Sequence, residues 1–86
     1  MNQEESSFKE KLEKQYVFPA LYTFKFIVPK DKVEAVENLF PRHEVILKPS
    51  SGGKYISTTI KVMVSSSSEI IDTYKKAKAI DGIISL

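Results

Sequence analysis

Tyr55 to Val64 reads YISTTIKVMV, ten residues in which side-chain character changes at every step. Ile56, Thr58, Ile60, Val62 and Val64 fall on one side, and Tyr55, Ser57, Thr59, Lys61 and Met63 on the other. A period of two is that of a strand with one face buried and one face wet. Such a strand belongs inside an antiparallel sheet rather than a doubly covered parallel one.

Working outward, Leu21 to Val28 (LYTFKFIV) repeats the pattern, with Tyr22, Phe24, Phe26 and Val28 opposed to Thr23, Lys25 and Ile27. Glu44 to Lys48 (EVILK) is a short strand between Pro41 and Pro49, and flanking prolines suit a sheet edge. Ile83 to Leu86 (IISL) supplies a last strand. Between these segments the period lengthens. Val33, Val36, Leu39 and Phe40 recur with helical spacing until Pro41, and Ile70, Ile71, Tyr74 and Ala77 follow a capping box formed by Ser66 and Glu69. Lys75, Lys76 and Lys78 meet the negative end of that helix, with Gly82 as its expected C-cap. Ahead of the first strand, Ser7 and Glu10 stand at capping-box spacing before Phe8, Leu12 and Tyr16, so a short helix is expected there, leaning weakly on the domain.

The order is β-α-β-β-α-β after a helical lead-in. It predicts an α+β, ferredoxin-like (ACT-like) domain over residues 18–86, with a four-stranded antiparallel sheet and two helices on one face. Residues 1–17 form a flexible N-terminus and the short helix. At 86 residues only one small core is expected, and a net charge of +2 is too small to point to a polyanion. The absence of cysteine removes disulfides, thiolate metal sites and thiol nucleophiles. With no leader-like segment and no long apolar run, a cytoplasmic protein without a membrane contact is expected.

Sites must decide function, because this topology hosts many. Paired thiols for a metal chaperone are missing. An acylphosphatase-like reaction needs an arginine and a donor-rich loop after the first strand, where this chain has Pro29-Lys30-Asp31. His43 and Arg42 read as a solvated loop pair. No base and nucleophile pair, metal cluster or cofactor motif stands out, so no catalysis and no cofactor are expected.

The richest stretch is KPSSGGKYIS, Lys48 to Ser57. It has two readings. In one, Pro49 breaks the edge strand, Ser50 and Ser51 bond locally, and Gly52 and Gly53 permit positive φ, giving a hairpin connection. In the other, the serine hydroxyls, successive N–H groups, Lys48 and Lys54 form an anion-binding nest, with Tyr55 and Ser57 beside it. A partner protein or a small anionic metabolite would be the ligand. Weak binding of single-stranded nucleic acid is the less favoured alternative, because the open sheet face carries only Tyr55 as a stacking ring and lacks the RNA-recognition signature. Ile27, Ile46, Tyr55 and Met63 on that face suggest self-association into a homodimer.

Phe18-Pro19 leading to Tyr22-Thr23-Phe24-Lys25, the Lys48 to Ser57 stretch, Tyr74 in a helix and the closing DGIISL together resemble the YbeD-like family of small bacterial proteins. That resemblance spans about Phe18 to Leu86. It implies the same βαββαβ fold, akin to ACT regulatory domains, and a regulatory or interaction role without an established activity. Gly52 departs from the family, where lysine is common. ACT domains that bind amino acids place a glycine after the first strand; Pro29 and Lys30 occupy that place, so amino-acid sensing is not expected here.

Overall fold

The computed structural model describes residues 3–50 and 52–86. Its elements run α1 (Gln3–Gln15), β1 (Ala20–Pro29), a 3-10 turn (Lys30–Lys32), α2 (Val33–Leu39), β2 (Ile46–Pro49), β3 (Tyr55–Val64), α3 (Ser67–Ala77) and β4 (Ile84–Ser85). The described residues therefore make an α+β fold, with three helices and one four-stranded antiparallel sheet ordered β2-β3-β1-β4. The two alternating segments are the central strands, and they pair from Ala20 opposite Val64 to Pro29 opposite Tyr55.

That register decides which side chains are dry. Phe24, Phe26 and Val28 from β1 and Thr58, Ile60 and Val64 from β3 are buried on one face, where Val36 of α2 and Ile70, Ile71 and Ala77 of α3 close over them. A one-residue slip of either strand would turn these side chains to water. Thr58 is the polar member of this set. Its hydroxyl donates to the Phe26 carbonyl at 3.0 Å, which removes the cost of burying it unpaired.

α3 starts as its sequence dictates. Ser66 is extended and its hydroxyl accepts from the Glu69 N–H at 3.4 Å, while the Glu69 carboxylate accepts from the Ser65 N–H at 2.7 Å. The reciprocal bond reaches one residue further back than a capping box usually does.

At the other helix ends the structure departs from the sequence expectation. α1 already includes Gln3, so Ser7 and Glu10 lie inside the helix and cap nothing. Contacts made elsewhere hold this early turn: Glu5 forms an ion pair with Lys75 of α3, and the Phe8 ring meets Tyr74 edge-on at 5.9 Å. With Leu12 buried as well, α1 is a working part of the helical layer. Gly82 is not the cap of α3. The helix ends at Ala77 with Lys78 still in the right-handed region, and Gly82 takes φ +78 in the turn before β4. A Cβ there would stand 2.8 Å from the Pro29 Cγ, so both conformation and space call for glycine.

Candidate functional site

The Lys48 to Ser57 stretch folds as a hairpin tip. Lys48 and Pro49 finish β2, and Tyr55 begins β3. The Ser50 N–H donates to the Tyr55 carbonyl at 3.0 Å, the Gly53 N–H to the Ser50 carbonyl at 3.1 Å, and the Tyr55 N–H to the Ser50 hydroxyl at 3.4 Å. Gly53, at φ +74, makes the turn, while Gly52 does so without a positive φ. Ser51 lies outside the described residues. Three of the donors expected to line an anion nest are thus engaged in closing the hairpin.

What the tip offers instead is charge. The Lys30 N–H donates to the Lys54 carbonyl at 3.0 Å, which ties the hairpin to the connection that follows β1. Pro29, Lys30, Asp31, Gly53 and Lys54 surround an open hollow of about 510 Å³. Two exposed ammonium groups and one carboxylate flank it.

The other expected site residues face elsewhere. Lys48 pairs with Ser57, and both lie with Tyr55 on the open face of the sheet. The decapeptide is thereby divided between two surfaces. On the open face Ile46, Tyr55 and Met63 are about half exposed, joined by Leu21 and Ile84, while Ile27 is partly covered. Lys25, Lys48 and Lys61 stand among them, so a second copy pressed face to face would bring like charges together. His43 and Arg42 are both exposed, in the loop after α2.

A second concavity was not expected from the sequence. Phe8 of α1, Tyr22 of β1 and Ile71 and Tyr74 of α3 floor a groove of about 490 Å³ that ends at Ser85 and Leu86, with Glu5, Lys75 and Lys78 on its rim. The Tyr22 and Tyr74 hydroxyls share a hydrogen bond at 3.0 Å. Burial pushes the Tyr74 hydroxyl well above the usual phenol range, and the bond to Tyr22 adds to the effect. On the rim, the bond to Lys75 holds the Glu5 carboxyl below its ordinary value, and Glu5 in turn raises Lys75. Phe8, Tyr22 and Tyr74 are too far apart in the chain for any local pattern to join them; each alone reads as a core ring.

Fold and surfaces define a small α+β domain with a lysine-flanked hollow and an aromatic groove at opposite ends of its first strand. The chain belongs to DUF493, a family described as a protein of unknown function, which matches residues 13–86. Neither the curated proteins nor the solved structures supply a match. No helix among the described residues is long and apolar enough to cross a membrane.

Proposed function

We propose that the protein is a non-catalytic binding module, ferredoxin-like and ACT-like in plan, whose hairpin tip receives an anionic group. The observation that carries this is the hollow in which the main-chain bond from Lys30 to Lys54 holds two lysines to one space. The plan is supported by a β-α-β-β-α-β order and a β2-β3-β1-β4 sheet, as a split βαβ arrangement has. A YbeD-like identity is supported by the residues of Phe18 to Lys25 and Lys48 to Ser57 that carry the resemblance, and a cytoplasmic location by the lack of cysteine. The anionic group belongs to a small metabolite or to an acidic partner surface; both present the same chemistry to Lys30 and Lys54.

Titration of the full chain with inorganic phosphate and with a short dicarboxylate, followed by amide NMR, tests the reading. Shifts are expected at Lys30, Gly53 and Lys54, saturable and lost in a Lys30→Ala, Lys54→Ala double variant that keeps the wild-type spectrum elsewhere. An acidic peptide that shifts the same amides while both small anions fail assigns the site to a partner protein. Shifts that persist in the double variant overturn it.

A second reading rests on Tyr55, 45% exposed on an open face with Lys25 and Lys61. It predicts weak, steeply salt-dependent binding of single-stranded nucleic acid that Tyr55→Ala abolishes. Absence of binding at low salt removes it.

A further inference from the structure

β1 pairs with β3 over all of Ala20 to Pro29, but on its other side β4 ladders only with Phe26 and Ile27. The Leu86 N–H then donates to the Lys25 carbonyl at 3.0 Å. Main-chain groups along a strand point alternately to its two neighbours. Since Lys25 faces β4, so do Thr23 and Leu21, and among the described residues nothing pairs with their N–H and C=O groups on that side. Both residues are exposed. The other edges are blunted, β2 by a length of four residues ending in Pro49 and β4 by having only two.

The unpaired edge adjoins the aromatic groove. Ser85 and Leu86 form the groove's end, and Tyr22, between the two unpaired residues, belongs to its floor. A strand placed in line with β4 would therefore meet main-chain donors and acceptors at Leu21 and Thr23, and a concave apolar surface just below them.

We infer that this edge and groove together receive an extended peptide from a partner protein, added to the sheet alongside β1, with alternating apolar and acidic side chains. Side chains on the helical side of the added strand descend between Phe8, Ile71 and Tyr74. Those on the other side stand beside Thr23, diagonal to Lys25, on a face where β1 and β3 carry Lys25 and Lys61 and no carboxylate. Strand addition of this kind takes affinity from main-chain bonds and selectivity from pockets under alternate side chains. A second copy of the chain is the poorer occupant, because edge pairing of two β1 strands sets one groove against another and fills neither. The inference is independent of the anion reading, which concerns the opposite end of β1.

The test uses the full chain and a set of synthetic peptides that alternate leucine or phenylalanine with glutamate. Hydrogen exchange should slow at the Leu21 and Thr23 amides on binding, and ring signals of Tyr22 and Tyr74 should move. Methylating the peptide nitrogens that face β1 should weaken binding at least about tenfold, the worth of one or two net hydrogen bonds. Thr23→Pro should do the same; its lost N–H faces the open edge, a position where proline is tolerated. Peptides with lysine in place of glutamate should bind more weakly. Three results overturn the inference: no binding by any alternating peptide, binding indifferent to both N-methylation and Thr23→Pro, or protection of Leu21 and Thr23 that tracks chain concentration without peptide, which would make a second copy the occupant.

Discussion

At its Ala20 end β1 sets Tyr22 and Phe24 among the rings of Tyr16, Phe40 and Tyr74, whereas at its Pro29 end the same strand meets Lys30, Gly53 and Lys54 around open water. One end is fastened by packing. The other is a turn, anchored by main-chain bonds and bearing exposed charge. A chain this small has little apolar material to spare, and its rings gather toward the end that α1 and α3 cover, while Val28 of β1 and Val36 of α2 carry the core toward the other. The lysine end is then free to vary in chemistry at little cost to the fold.

Phe24→Ala is the change most able to break this contrast. Phe24 has no exposed surface and touches the rings of Tyr22, Phe26, Phe40 and Tyr74. Its loss should cost about 3–5 kcal/mol in a denaturant titration, a large share of what a domain of this size has. A cost below about 1 kcal/mol would show that the ring cluster does not hold this end.

Tyr74→Phe sharpens the comparison. It leaves the Tyr22 hydroxyl without its partner and should cost about 1–2 kcal/mol. The pH dependence is the more specific readout. Burial first, and the bond to Tyr22 second, raise the Tyr74 hydroxyl above the 10.0 of a free tyrosine, so the folded state holds this proton where the unfolded chain releases it. The stability it contributes is complete below that value and is lost as pH climbs past it. Unfolding midpoints of the natural protein should therefore fall above about pH 10 more steeply than those of Tyr74→Phe. Parallel curves would mean that folding leaves the Tyr74 hydroxyl where a free tyrosine has it.

The smallest effects belong to the lysine end. Gly53→Ala should cost about 1 kcal/mol, because φ +74 suits no Cβ even though the space around it is open. Lys54→Ala should stay within about 0.5 kcal/mol of the natural protein while removing the anion response. Thermal unfolding of both, beside Phe24→Ala, checks the ranking.

The period of two in Tyr55–Val64 and Leu21–Val28 exposed the central pair of strands directly, since each face of each strand has a single environment. Ser66 and Glu69 were legible because capping is local chemistry. α1 starts earlier than its sequence suggests, because Ser7 and Glu10 carry a local signal that more distant contacts override: Glu5 with Lys75 and Phe8 with Tyr74. Gly82 misled for a related reason. It sits after a helix in sequence, but what calls for glycine is the positive φ of the turn before β4 and the space left by Pro29 across the fold. The Lys48–Ser57 loop is legible as a turn from Pro49 and its two glycines, yet its separation into a hollow and an open face depends on a register that composition does not contain. The groove was hidden altogether, since it is assembled from three elements whose rings each satisfy an ordinary core pattern.

The pairing of Pro29 with Tyr55 and of Ala20 with Val64 also bears on the route by which the chain organises itself. Closing a longer stretch of flexible chain costs more entropy, so the hairpin at Ser50–Tyr55 is the cheapest contact to make, then Pro29 on Tyr55, and the Ala20–Val64 junction the dearest. Assembly is thus favoured to zip from the charged tip toward the rings, and this reliance on distant partners sets a slower refolding rate than a helical bundle of equal length would have.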